Sequence, residues 1–197
     1  MFFLYYFPYL VSLILLPILI YHKQISNSTG LIDYPNERKK HLKPVAKIGG
    51  LYIIISTILT CLFLNNYINE RSLFSYLILI LGLFFIGFID DRIEIKGSNR
   101  LLMQFIVIVF ALSINNNLEI ESLKIGVISK EIVLVNLSNL FTIFCIIALV
   151  NAINLVDGKD GLCISIFIYF LIIFTFYYKS NFNFLLINLL ISSTLFL

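Results

Sequence analysis

Charged residues are scarce in this chain. Aspartate, glutamate, lysine and arginine make up 13% of its 197 residues, whereas a soluble domain carries about a quarter. Hydrophobic residues account for 60%, and the mean hydropathy is +0.99. So few polar side chains cannot cover a soluble surface. This composition excludes a soluble globular domain and indicates a protein that lies within a lipid bilayer.

Cysteine is also rare, and no repeat or low-complexity tract interrupts the sequence. Cys61, Cys145 and Cys163 stand alone in apolar runs, where a cysteine is typically a packing residue. Their isolation excludes a disulfide framework and a cysteine-based metal cluster.

Long apolar runs make up most of the chain, each near the roughly 20 residues that a helix needs to cross a bilayer core. Backbone groups in hydrocarbon must be satisfied within the segment, so these runs are predicted to be helices. The predicted spans are residues 2–21, 48–64, 73–89, 101–114, 132–156, 162–178 and 184–197. Residues 118–130 are the only predicted strand material and are expected to form a hairpin outside the bilayer. The sequence therefore predicts an all-α, polytopic membrane helix bundle of about seven transmembrane helices.

Lysine and arginine are distributed unevenly among the connections. Ten of them lie in residues 22–47, 90–100 and 151–161, against four in residues 65–72, 113–131 and 179–183. Because cytoplasmic loops carry the excess of basic residues, the first set is predicted to face the cytoplasm and the N-terminus the outside. We interpret residues 1–197 as one integral membrane domain. Since the last run ends while still apolar, we expect the chain to be truncated at its C-terminus.

Three acidic residues end the third predicted span: Asp90, Asp91 and Glu94. If the helix continues for one more turn, all three can share one face. Crowded carboxylates repel each other unless a cation is present, and Mg²⁺ is commonly held by one or two carboxylates plus substrate phosphates. The alternative is a solvated helix end neutralised by three basic residues: Arg92, Lys96 and Arg100.

Amides and carboxylates recur at every third residue at the end of the fifth span, as Asn151, Asn154, Asp157 and Asp160. In a helical segment this spacing places them along one side. A capped helix end followed by a turn would explain the Asp-Gly pairs at 157–158 and 160–161, but not polar residues running back into the span. The pattern therefore favours a functional site.

The first cytoplasmic connection contains a candidate anion site. Lys47 stands just before Gly49 and Gly50, which open the second span, and backbone amides at a helix N-terminus beside a cation attract anions. The basic run 38–40 is better explained by topology or by contact with anionic lipid. His41 is more typical of a satisfied loop residue, but it stays a candidate for substrate binding.

Four segments together resemble a known family. They are residues 30–41 (Gly-Leu-Ile-Asp-Tyr-Pro-Asn, then Arg38 and His41), 48–50 (Ile-Gly-Gly), 87–92 (Gly-Phe-Ile-Asp-Asp-Arg) and 151–162 (Asn-Ala-Ile-Asn-Leu-Val-Asp-Gly-Lys-Asp-Gly-Leu). In order, spacing and membrane side they are similar to the polyprenyl-phosphate N-acetylhexosamine-1-phosphate transferases, glycosyltransferase family 4. Glu94 stands where many members have Asp. Members continue with a Gly-Asp motif and a His-rich loop that this chain lacks, so it looks like the N-terminal portion of such an enzyme.

The resemblance implies an activity and its site. An N-acetylhexosamine-1-phosphate moves from a UDP-sugar to polyprenyl (undecaprenyl) phosphate, UMP leaves, and lipid-linked cell-envelope glycan synthesis begins. The cofactor is Mg²⁺, or Mn²⁺ in its place. Carried over, the catalytic residues are Asp90, Asp91, Asp157 and Asp160, and the metal ligands among them are Asp90, Asp91 and Asp160. The substrate-binding residues are Asp33, Lys47, Asn154 and His41.

The resemblance also implies partners and a location. UDP-N-acetylhexosamine, the polyprenyl phosphate lipid and the membrane are the expected partners. A homodimer stays open, and no nucleic acid is expected. The location is the bacterial inner (cytoplasmic) membrane, crossed several times, with the active site facing the cytoplasm.

Two rival functions stay open. One is a truncated, non-catalytic remnant, and we expect the 197-residue chain alone not to turn over a UDP-sugar. The other is a membrane binding or transport protein, which would place polar residues near the bilayer midplane and often in inverted repeats. Here the acids lie at helix ends on one predicted side.

Overall fold

The computed structural model describes residues 2–33, 44–46, 48–64, 69–124, 131–156, 162–177 and 183–196. Lys47, His41, Asp157 and Asp160 lie outside these residues. The chain divides into two compact units. The first comprises Met1–Ile68 and Val156–Leu197, and the second comprises Asn69–Leu155.

Helices dominate the described residues. In chain order the elements are α1 (Phe2–Ile20), α2 (His22–Thr29), β1 (Ile32–Asp33), β2 (Val45–Ala46), α3 (Gly49–Leu64), α4 (Glu70–Ile93), α5 (Gly97–Ile114), β3 (Ser122–Lys124), β4 (Glu131–Val133), α6 (Ser138–Val156), α7 (Leu162–Tyr177) and α8 (Asn183–Phe196). Two short 3₁₀ turns, Asn116–Leu118 and Val135–Leu137, flank the β3–β4 hairpin.

The first unit packs α8 against α1, α3 and α7, and α1 against α3. Its interior is apolar around Val11, Leu15 and Tyr52 and polar between α3 and α8. There Ser56 donates to the Asn188 side-chain oxygen at 2.9 Å and shares a 2.8 Å hydrogen bond with Ser192. All three of these side chains are fully buried. Small and polar residues of this kind let helices approach closely and bond to one another where lipid offers no hydrophobic driving force.

The second unit is built from α4, α5 and α6. Near its middle α4 lies close to α5 at Gly82, where a Cβ atom would come within 2.5 Å of a Val107 methyl group. At one end the Asn115 amide donates to the Ser72 hydroxyl at 3.0 Å, and Thr142 accepts from the Ile120 N–H at 2.8 Å. The opposite end holds the α4–α5 connection and the C-terminal part of α6, including the polar residues described below.

The dominance of apolar helices confirms the prediction of an all-α membrane protein. In the part of the chain that the structure describes, three segments are long and apolar enough to cross a bilayer: Glu70–Ile93, Gly97–Ile114 and Val135–Leu155. The segments Leu10–Ile20 and His22–Thr29, bent by 68°, could form a fourth, and Gly49–Phe63 and Leu162–Thr175 are shorter apolar helices. The count of seven spans and the outward N-terminus stay predictions, as does the single domain.

Two local features differ from the prediction. Residues 22–29 are helical instead of forming a loop, and α2 ends at Gly30, whose φ of 69° suits a residue without a Cβ. The expectation of strands only in residues 118–130 was wrong. β1 pairs antiparallel with β2, and the second strand of the hairpin begins at Glu131. Strands of two residues, such as β1 and β2, are too short to produce a hydropathy pattern. They are therefore recognised only by their backbone pairing in the structure.

The β3–β4 hairpin carries a pH-sensitive carboxylate. The Ser122 hydroxyl donates to Glu131 at 2.6 Å, and the Lys124 ammonium lies 3.7 Å from the same oxygen. First the hydrogen bond and then the lysine charge lower the pKa of Glu131 below its ordinary value of 4.5. A carboxylate with a lowered pKa stabilises the hairpin above its ordinary pKa, and that contribution is lost as the pH falls through the lowered value.

We therefore expect an NMR titration of the Glu131 carboxyl carbon to show a midpoint below the ordinary glutamate value. Ser122→Ala should raise this midpoint more than Lys124→Gln does, because the hydroxyl bond is the larger cause. The effect on stability should be small, since both charged side chains are exposed. A midpoint unchanged by Ser122→Ala would contradict the hydrogen bond.

Candidate active site

Asp90 lies three residues before the end of α4, and both of its carboxylate oxygens are engaged. Oδ1 accepts the Ile95 backbone N–H at 2.9 Å, and Oδ2 accepts from Arg100 Nη1 at 2.9 Å. The side chains of Arg100 and Asp90 are only 25% and 23% exposed. Charge-assisted bonds are roughly twice as strong as neutral ones, so this carboxylate is held in one orientation.

The turn after α4 brings Arg100 to Asp90. The Glu94 N–H still bonds to the Asp90 carbonyl at 3.0 Å, but Glu94 itself has a left-handed φ of 47°. A non-glycine residue there costs about 1 kcal/mol, and the Ile95 bond to Asp90 helps to hold the turn. The helix therefore ends at Ile93, and the expected third carboxylate of one helical face, Glu94, leaves the helix instead.

Arg100 joins Asp90 to the second motif. Its Nη2 lies 3.4 Å from the Asn151 side-chain oxygen, a long hydrogen bond. The Asn151 amide nitrogen donates at 2.8 Å to Gln104 Oε1 and at 2.8 Å to the Ile147 carbonyl. Residues of α4, α5 and α6, up to 61 positions apart in the chain, thus form one polar cluster, defined here as Asp90, Arg100, Gln104 and Asn151.

Two other predicted residues lie beside this cluster. Asp91 is exposed next to Asp90 near the end of α4. Asn154 is exposed on α6, three residues beyond Asn151. The helix extends to Val156, so the predicted one-sided alignment holds for the two asparagines. Asp157 and Asp160, the other members of that row, lie outside the described residues.

The remaining predicted residues belong to the first unit or are not described. Asp33 lies in β1, its backbone paired with Val45 of β2. His41 and Lys47 fall outside the described residues, so the predicted anion site at Lys47 stays a prediction. The roles assigned to all eight predicted site residues stay predictions as well.

Sequence reasoning missed Gln104. It named Arg100 only as a neutralising charge, and Asn151 without assigning it a role. A signal for Gln104 was present. It shares a helical stripe with Ile108, Ala111 and Leu112, all of them buried on α5. An amide on the buried stripe of an apolar helix is costly without a partner, and this spacing could have identified it.

The carboxylates of Asp90 and Asp91 decide whether the described part of the site suits a divalent cation. Among the described residues no three His, Cys, Asp or Glu side chains are grouped as a metal site. Each carboxylate oxygen has two lone pairs, so each oxygen of Asp90 keeps one beyond its hydrogen bond, and Asp91 is exposed beside it. Mg²⁺ usually takes one or two carboxylates together with water and substrate phosphates. The pair would therefore suit a Mg²⁺ ion whose other ligands come from water and substrate phosphate, not an all-protein cage.

The fold and the cluster together define an integral membrane protein whose charged and amide side chains meet where three apolar helices end. Comparison with protein-family models gives the family. The chain belongs to glycosyl transferase family 4, whose model matches residues 73–197.

Several curated proteins that share the name undecaprenyl-phosphate alpha-N-acetylglucosaminyl 1-phosphate transferase are similar to this chain. The relatives from Pasteurella multocida and Haemophilus influenzae are each 32% identical over 98 residues, 50% of this chain and 27% of the relative. One from Escherichia coli is 32% identical over 152 residues, 75% of this chain and 41% of the relative. The matches thus span between 27% and 41% of the length of these relatives. No solved structure matches the chain significantly.

Proposed function

We propose that this protein provides part or all of a membrane transferase that moves N-acetylhexosamine-1-phosphate from a UDP-sugar to a polyprenyl phosphate. In the reaction an oxygen of the lipid phosphate forms a bond to the phosphorus that carries the sugar. The bond from that phosphorus to the bridging oxygen breaks, and UMP leaves with the electron pair. Lipid-linked cell-envelope glycan synthesis would begin with this step.

One observation carries the proposal. The two acidic motifs that suggested the family, around Asp90 and around Asn151, are joined through Arg100 at one end of the second unit. A solvated helix end neutralised by Arg100 would account for the ion pair with Asp90, but not for the bond from the same guanidinium to Asn151 of the second motif. The family membership and the names of the bacterial relatives support the same type of activity, a sugar-phosphate transfer.

The chemistry requires offsetting the repulsion between two phosphate anions. Mg²⁺, or Mn²⁺ in its place, would supply charge stabilisation for the leaving UMP when bound at Asp90, Asp91 and Asp160. Lys47 would contact a phosphate as a point charge. Asp33, His41 and Asn154 would bind substrate, and one carboxylate among Asp90, Asp91 and Asp157 would keep the lipid phosphate deprotonated.

We propose UDP-N-acetylglucosamine and undecaprenyl phosphate as the substrates. The names of the similar bacterial proteins include undecaprenyl phosphate and N-acetylglucosaminyl 1-phosphate, and a UDP-sugar is the donor that the family resemblance implies. We further propose that the protein lies in the bacterial inner membrane with the Asp90 end facing the cytoplasm. Support comes from the sequence, where ten of the 14 lysine and arginine residues lie in the connections 22–47, 90–100 and 151–161, which are predicted to share the cytoplasmic side.

The proposal is tested with membranes that contain the product of the uninterrupted gene. Radiolabelled UDP-N-acetylglucosamine, undecaprenyl phosphate and Mg²⁺ are supplied, and label is followed into lipid. We expect Mg²⁺-dependent transfer that falls by about 10²-fold or more in Asp90→Asn and in Asp157→Asn, since each removes a charge that acts on the transferring phosphoryl group.

Glu70→Gln is the matched control, because Glu70 is an exposed carboxylate at the other end of the helix that carries Asp90. It should transfer label like the parent protein. Absence of transfer with this and other UDP-N-acetylhexosamines, from well-folded protein, would instead favour a non-catalytic remnant or a binding or transport protein.

A further inference from the structure

The side-chain amide of Asn151 is fixed in one orientation. Its nitrogen lies 2.8 Å from two acceptors, Gln104 Oε1 and the Ile147 carbonyl. A carbonyl oxygen in that position would face another oxygen, so the nitrogen must point there and Oδ1 must point to Arg100. Gln104 therefore helps to determine which atom Asn151 presents to the arginine.

The hydrogen bond to Asn151 accounts for the burial of Gln104. Its side chain is 4% exposed, and Ile108 and Ala111, on the same stripe of α5, are fully buried. A buried amide costs free energy unless its hydrogen bonds are made. Among the described residues, its side-chain oxygen accepts from the Asn151 amide, which places the polar group where it acts on the second motif.

Arg100 depends on few contacts. Among the described residues its guanidinium bonds to Asp90 through Nη1 and to Asn151 through Nη2, while its buried Nε has no hydrogen-bond partner. Among the described residues, loss of the Asn151 contact would leave Asp90 as the remaining hydrogen-bond partner of the guanidinium. The fork could then rotate, and the direction from which it approaches Asp90 would no longer be fixed.

We propose that Gln104 is a positioning residue for the transfer reaction, acting on Asp90 through Asn151 and Arg100. This inference rests on the proposed function, because it deepens the account of the same site. Gln104 touches neither substrate nor metal in this scheme. It orders a chain of three side chains that ends at the carboxylate, and so links the buried interior of the second unit to the reacting groups.

The first test compares Gln104→Leu with Ile108→Ala, the matched control one turn along the same buried stripe. Both should lower the apparent melting temperature. Only Gln104→Leu should lower kcat, by about 10- to 100-fold, with KM for the UDP-sugar within about twofold, because a small misplacement of a reacting group is costly. Gln104→Glu keeps an acceptor for Asn151 and should recover most of the loss. Equal kcat for Gln104→Leu and Ile108→Ala would overturn the proposal.

The second test is a double-mutant cycle. If Gln104 acts through Asn151, Gln104→Leu should reduce kcat little further in an Asn151→Ala background, whereas independent effects would multiply. If the two losses of kcat multiplied fully, Gln104 would not act through Asn151, and the proposal would be refuted.

Thermal stability of the same four proteins gives a readout that needs no activity, and it separates the two proposals. If the parent protein were inactive, the proposed function would fail. The melting temperatures of the four proteins would still show whether Gln104 and Asn151 are coupled. If the melting-temperature shifts of the two single variants added up in the double variant, the coupling between Gln104 and Asn151 would be rejected, even in an active enzyme.

Discussion

Arg100→Leu should reduce transfer by about 10²-fold or more, because it removes an electrostatic contact that fixes the reacting carboxylate. It should also destabilise the protein by about 1–3 kcal/mol, since the Asp90 carboxylate is left with one hydrogen bond in a largely buried position. Arg100→Lys should be intermediate, because a single ammonium can reach Asp90 but cannot also bridge to Asn151 as the guanidinium fork does. Labelled transfer and thermal unfolding in detergent measure the two effects.

Lys96→Leu is the charge-matched control. Lys96 lies four residues earlier in the same basic connection, and its side chain is exposed. Removing it takes away the same formal charge from the same end of the unit without disturbing the cluster. If Lys96→Leu and Arg100→Leu lost activity equally, the effect would be one of general positive charge, and the specific bond to Asp90 would be rejected.

Gly82→Ala should destabilise the second unit by about 1–3 kcal/mol, the usual cost of overpacking a well-packed contact. An added Cβ would lie 2.5 Å from one Val107 methyl carbon and 3.0 Å from the other. Valine is stiff at χ1, so the side chain cannot easily rotate away, and α4 and α5 must separate. Thermal unfolding of the purified protein measures the change.

Two further variants isolate that contact. Gly87→Ala, on the same helix, adds a Cβ with nothing within 4 Å, so it should be neutral or stabilising by up to about 1 kcal/mol from helix propensity. Val107→Ala combined with Gly82→Ala removes both clashing methyl groups and should recover much of the loss. A Gly82→Ala protein as stable as Gly87→Ala would show that the two helices do not meet there.

The sequence predicted the positions of the helices well where hydropathy alone decides them. The runs 2–21, 48–64 and 162–178 became Phe2–Ile20, Gly49–Leu64 and Leu162–Tyr177. The spans flanked by charged residues are longer than predicted. α4 extends from Glu70 to Ile93 because its backbone bonds continue past the apolar core. Its start is fixed by Asn69, whose side chain accepts the Arg71 N–H at 3.0 Å.

The beginning of α6 shows a different limit. The apolar run from Ile132 was predicted to be helical throughout, yet Glu131–Val133 pairs with Ser122–Lys124 and the helix begins at Ser138. Short apolar segments suit either structure. The Thr142 and Ser138 side chains, which bond to the N–H and C=O of Ile120, tie the hairpin to the first turns of α6.

By itself the sequence determined the protein class, the approximate spans and two of the motifs that meet in the candidate site, since these follow from residue type and spacing along one helix. Only the tertiary structure decided that Asp90 pairs with Arg100 and that Asn151 bonds to Gln104. Those contacts, like the bond from Arg100 to Asn151, depend on how α4, α5 and α6 pack. Asn151 lies 47 positions from Gln104 and 51 from Arg100 in the chain. A local pattern specifies which face of a helix is polar, but the neighbour that satisfies it is set by packing between helices.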